Sequence, residues 1–146
     1  MAVQPIPEGF HTITPFLTVA RANELIDFLK FAFGAEECYR NTGEKGEVRN
    51  AQLKIGDSMM MMSEASEKYP PMPTSIYLYV EDTDATYEQA LKSGGVSLME
   101  PADQYWGDRN AGIKDLSGNQ WWIATHIEDV SPEEISKREE ALLAKD

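Results

Sequence analysis

Between residues 12 and 19 the chain alternates Thr12, Thr14, Phe16 and Thr18 with Ile13, Pro15, Leu17 and Val19, the two-residue period of a strand with two unlike faces. The period then changes. Ala22, Leu25, Ile26, Leu29, Ala32 and Phe33 recur at helical spacing and Gly34 stands where a left-handed C-cap belongs, so a helix over 22–33 should cover the apolar strand face. A hairpin is expected next, 36–40 with 48–55, and Gly56-Asp57 turns the chain into a strand at 59–62. The same order recurs downstream. Ser75, Tyr77 and Tyr79 alternate with Ile76, Leu78 and Val80, Asp82 or Asp84 can cap a helix reaching Lys92, and Gly94-Gly95 ends it. Strands follow at 96–99, 110–114 and 121–124, with a loop at 105–109.

The recurrence has a fixed offset: Val19 and Val80, like Gly34 and Gly95, are 61 residues apart, and Gly56 and Gly118 are 62 apart. Internal repetition sets the architecture before any single motif does. The chain therefore reads as one α+β domain over 1–146, built of paired βαβββ modules with helices on the outside. Module one spans about 11–64 and module two about 75–127. The linker at 65–74 holds Pro70, Pro71 and Pro73, which exclude helix and central strand. A C-terminal helix is expected over about 131–144, with Ser131 as N-cap, Pro132 at its first position and Glu134 closing a capping box.

Composition narrows the partners. In 146 residues, 42% of them hydrophobic, there is material for a core, and 13 basic against 25 acidic side chains give a net charge of −12. That charge repels phosphate backbones and anionic bilayers, so neither nucleic acid nor membrane is an expected partner. No run of about 18 apolar residues is present, and Met1-Ala2-Val3-Gln4-Pro5 lacks the features of a signal peptide, so a cytoplasmic location is expected. The lone Cys38 can form no internal disulfide and sits in no metal-like spacing.

Several segments, taken in order, carry a family resemblance. They are Ile13-Thr14-Pro15-Phe16-Leu17, Ile26-Asp27-Phe28, Phe33-Gly34-Ala35-Glu36, Ile55-Gly56-Asp57-Ser58, Leu78-Tyr79-Val80-Glu81-Asp82, Trp106-Gly107-Asp108-Arg109 and Asp115-Leu116-Ser117-Gly118-Asn119-Gln120-Trp121. On these the chain resembles the vicinal oxygen chelate superfamily, and within it the glyoxalase and bleomycin-resistance-like proteins of the PhnB-like branch. The resemblance implies a cavity enclosed by curled strands and a homodimer; it supplies a site location and no reaction.

Metal-using members of that superfamily carry His, Glu or Gln at the first and last strands of each module. The repeat places those positions on Thr14, Ser75, Met60 and Trp122. A hydroxyl or thioether is a poor ligand for a hard divalent ion and an indole is none at all, and a slip of one residue in either direction brings no better donor. No metal and no cofactor is therefore expected.

Strand parity instead points to an apolar, aromatic lining of Thr14, Phe16, Met60, Met62, Ser75, Tyr77, Tyr79 and Trp122, suited to a small organic ligand. Tyr105, Trp106 and Arg109 add an aromatic platform and a cation able to clamp a carboxylate or phosphate, unless Arg109 pairs with Asp103, Asp108 or Asp115. Two functional readings follow. One is metal-independent binding of a small molecule in the cavity. The other is a glyoxalase-related lyase or isomerase, or a dioxygenase-like enzyme, with a displaced or acquired site using Glu100, His126, Tyr77 or Tyr105 as acid or base. His11, the other histidine, flanks the first strand.

Overall fold

In the computed structural model, which describes residues 2–145, two consecutive βαβββ units are followed by a helix. The first unit is β1 (Phe16–Val19), α1 (Ala22–Phe33), β2 (Glu36–Thr42), β3 (Val48–Ile55) and β4 (Ser58–Glu64). The second is β5 (Ser75–Tyr79), α2 (Thr83–Lys92), β6 (Val96–Asp103), β7 (Asp108–Lys114) and β8 (Gln120–His126), and α3 (Pro132–Leu143) comes last. Each unit builds its own four-stranded mixed sheet, in the orders β1-β4-β3-β2 and β5-β8-β7-β6. In both, the first strand runs parallel to the last and the remaining pairs are antiparallel. The α+β class of paired βαβββ modules stands, each module contributing a four-stranded mixed sheet, and the two sheets do not close into a barrel.

Local chemistry explains the element ends. Gly34 takes the left-handed conformation, φ 68°, and its N–H closes on Lys30 O. At the other end of α1 the cap comes from elsewhere in the chain. Arg21 is itself left-handed and offers no side-chain cap, and the Glu64 carboxylate accepts the N–H groups of Arg21 at 3.1 Å and Ala22 at 3.0 Å. Asp82 caps α2 by accepting from Ala85 N, and Ser131 caps α3 by accepting from Glu134 N.

The largest departures from the expected strand lengths are at β1 and β6. β1 begins at Phe16 rather than Thr12, because Pro15 has no N–H for the ladder, so Thr14 lies in the irregular lead-in with its hydroxyl donating to His11 O. β6 runs on through Pro101 to Asp103, which an edge strand with register shifts around Met99 tolerates.

Each sheet has one face against a helix and one face away from it. Leu17, Val19, Ala51, Leu53, Met60 and Met62 are buried with Leu25, Ile26 and Leu29 of α1, and Ala111, Ile113, Trp121 and Ile123 with Tyr87 and Ala90 of α2. α1 packs on α2, and Phe33 meets Trp121 with ring centroids 4.9 Å apart, so the two units share one core. Register corrects the expected parity here. Leu17 pairs with Met62 and Phe16 with Met61, which puts Met60 and Met62 on the helix-covered face and Met61 beside Phe16.

Candidate functional site

The faces turned away from the helices are concave and lightly covered. On the second sheet Tyr77 pairs with Trp122, Trp122 with Gly112, Asn110 with Ala124 and Asp108 with His126, so these side chains share that face. A pocket of about 340 Å³ opens there, lined by Tyr77, Met99, Gln104, Trp106, Asn110 and Trp122.

Behind this lining lies Asp108, 1% exposed. Its Oδ2 accepts hydrogen bonds from the hydroxyls of Tyr77 at 2.7 Å and Tyr79 at 2.9 Å and from Trp106 Nε1 at 3.1 Å. Its Oδ1 lies 2.8 Å from His126 Nδ1, and His126 Nε2 lies 2.7 Å from Asp129 Oδ1. With a carboxylate oxygen at each ring nitrogen, only the imidazolium satisfies both contacts.

The charge states follow from these contacts. Burial alone would raise the Asp108 pKa, but the bonds from His126, Tyr77, Tyr79 and Trp106 outweigh it and hold the carboxyl below the usual range. His126 is pushed up by Asp108 and then Asp129. Tyr77 is raised by burial and by donating to Asp108, and Tyr79 by donating to Asp108. Both phenols stay protonated at neutral pH and act as donors, not bases.

Second-layer contacts fix the aromatic wall. A Cβ on Gly112 would lie 2.4 Å from Cζ3 of Trp122, so the indole lies across a position that only glycine leaves open. The Trp122 Nε1–H donates to Ser75 Oγ at 3.1 Å. Trp106 hangs from a loop held by the C-terminal segment. Gly107, at φ 107°, receives the N–H groups of Ile127 and Glu128 on its carbonyl, and Arg138 of α3 donates to Tyr105 O and to Glu128.

The expected site residues thus divide. Tyr77, Trp106 and Trp122 meet at one pocket, with Ser75 behind the indole. Phe16 lies on the first sheet in a separate concavity of about 480 Å³ with Thr18, Arg49, Ser63 and Tyr69. Thr14 precedes β1, and Met60 and Met62 face the core, although Met60 reaches an apolar 840 Å³ cleft between the units, beside Ile55, Ile76 and Leu78. The Tyr105 hydroxyl donates outward to Glu139 at 2.6 Å. Arg109 is not an anion clamp: it sits on the α2 side of the sheet, bonded to Asp84 at 2.8 Å and Asp103 at 3.0 Å.

The superfamily metal positions do not fit an ion. Thr14 and Ser75 hydroxyls are engaged with His11 O and Trp122 Nε1, the observed register puts Met61 rather than Met60 at the position matching Trp122 and so offers only a thioether there, and Trp122 has no lone pair to give. Among the described residues no three His, Cys, Asp or Glu side chains cluster as a metal site.

The chain matches known proteins along most of its length. A sequence model described as the Glyoxalase/Bleomycin resistance protein/Dioxygenase superfamily matches residues 9–123. An uncharacterized protein of Mycobacterium bovis is 31% identical over 134 residues, covering 84% of this chain and 88% of that protein. Among solved structures, TioX from Micromonospora sp. ML1 superposes with a TM-score of 0.65 at 22% identity, covering 79% of this chain and 99% of TioX. A PhnB protein from Bacillus cereus superposes with a TM-score of 0.63 at 19% identity, covering 79% and 99%. At these identities the two structures speak for the fold.

Proposed function

The chain belongs to the Glyoxalase/Bleomycin resistance protein/Dioxygenase superfamily, and on that footing we propose that it binds a small organic molecule on the concave face of its second sheet without a metal ion. One observation carries this reading. Tyr77, Trp106 and Trp122 converge on one pocket, and the hydroxyl or indole N–H of each is anchored, so the wall is preorganised before any ligand arrives. The donor set at the family's metal positions supports the metal-free part. Elemental analysis and EDTA treatment test it: the protein should carry no stoichiometric divalent ion, and its fold and ligand binding should survive the chelator. A bound ion lost together with binding would sink the reading.

A lyase or isomerase reading has one observation in its favour, the orientation of His126 by Asp108. Both ring nitrogens are committed to carboxylates, Glu100 is exposed and Tyr105 turns outward, so this arrangement suits a fixed cation better than a proton shuttle.

We further propose a homodimer in which a second copy covers the face of the first sheet turned away from α1. Phe16 at 53% and Tyr39 at 50% exposure support it. No helix among those residues is long and apolar enough to cross a membrane, and an exposed free thiol at Cys38 suits a reducing, cytoplasmic setting.

A further inference from the structure

We propose that the pocket of the second sheet selects a permanently alkylated organic cation, a quaternary ammonium group, over neutral or anionic molecules of the same shape. This rests on the small-molecule reading above and names the class of ligand it would take.

The polar side chains around the pocket are in large part engaged with one another. Gln104 Nε2 donates to Asn110 Oδ1 at 3.0 Å, and the tips of Tyr77, Trp106 and Trp122 all donate to protein oxygens behind the wall. A primary ammonium or a polyol would leave its water hydrogen bonds and find few replacements there. A quaternary ammonium has no N–H to satisfy.

What the pocket does offer is π-surface. Two indoles and a phenol, with the Met99 thioether, border about 340 Å³, at the small end of the ligand-pocket range of roughly 300–1,000 Å³. Aromatic walls of this kind attract an alkylated cation through the negative faces of the rings.

The local charge has the same sign. No Lys or Arg lines the pocket, and Arg109 is held on the opposite face by Asp84 and Asp103. The Asp108 carboxylate stands directly behind Tyr77 and Trp106, and His126 is one cation shared between two anions, Asp108 and Asp129. Negative potential therefore leaves through the aromatic wall, and an anion entering the pocket would meet no cation on its lining.

The test uses the full chain at constant ionic strength. Tryptophan fluorescence is titrated with tetramethylammonium and with choline, and in parallel with 3,3-dimethylbutan-1-ol, which keeps the shape of choline with carbon in place of nitrogen. Both cations should give a saturable change, the alcohol should bind at least roughly tenfold more weakly, and Trp122→Leu should weaken choline by a similar factor. Equal binding of choline and the alcohol, or no saturable response to either cation, overturns the proposal. The neutral dye Nile red separates the two levels. If it binds in a Trp122-dependent way while the cations do not, the cation selectivity fails and the binding role stands; if neither binds, both fail.

Discussion

Asp108 Oδ1 and His126 Nδ1 lie 2.8 Å apart at the mouth of the second sheet, and this contact joins the buried hub of the pocket to the exposed start of the C-terminal segment. Its pH dependence has two limbs. The His126 pKa is raised, by Asp108 first and Asp129 second, so its stabilising contribution is complete below the ordinary histidine value of about 6.5 and is lost as pH rises through the raised value. The Asp108 pKa is depressed, so its contribution is present above the ordinary value of about 3.9 and disappears as pH falls through the lowered one. The thermal midpoint should therefore decline on the alkaline side of about pH 6.5, and His126→Gln should flatten that limb and also shrink the acid one, because His126 is the first of the partners that hold the Asp108 carboxyl down. Identical profiles for the two proteins would remove His126 from the account.

Gly112 is a packing partner of Trp122. Adding a single methyl in Gly112→Ala places carbon 2.4 Å from the indole and should cost about 1–3 kcal/mol by overpacking, while turning Trp122 off its seat. Thermal denaturation and near-ultraviolet circular dichroism read the two effects. A variant with wild-type values in both would mean the indole has room to move.

The neighbouring tryptophans should behave as opposites. Trp121 is 1% exposed, packs on Phe33 and donates to Asp115 at 2.8 Å, so Trp121→Ala should destabilise by about 3–5 kcal/mol. Trp122 faces the pocket, and Trp122→Leu should lose ligand binding with a far smaller change in the denaturation midpoint. Equal losses of stability would make Trp122 a core residue.

Phe16 and Tyr39 stand exposed on the concave face of the first sheet, and a second copy covering them predicts a dimer by light scattering or sedimentation. Replacing both with Glu should give a folded monomer. A wild-type monomer at high concentration, or an unchanged dimer in the double variant, would count against that interface.

Most of the fold was legible from periodicity. The repeat located both units, and Gly34, Asp82 and Ser131 ended or began helices where their chemistry demands. Face assignment failed at one strand. Met59 to Met62 offers four identical side chains, and only the pairing of Leu17 with Met62 reveals which of them the helix covers. On the second sheet the parity of Tyr77 and Trp122 could be read from alternation, whereas Asp108 could not. Beginning the strand at Asn110 leaves Asp108 in a loop; beginning it at Asp108 pairs it with His126 and turns it toward the same face. Arg109, its neighbour, points the other way for the same reason. No sequence period announces the role of Gly112, which exists only once Trp122 lies across it.

The central claim is that an anchored aromatic wall on the second sheet binds a small molecule without a metal. The most direct measurement is a Nile red titration of EDTA-treated protein and of its Trp122→Leu variant, with denaturation midpoints recorded alongside. Saturable binding by the metal-free wild type, lost in the variant at a near wild-type midpoint, is the expected result. Binding that appears only on adding a stoichiometric divalent ion, or that is untouched by Trp122→Leu, would contradict it.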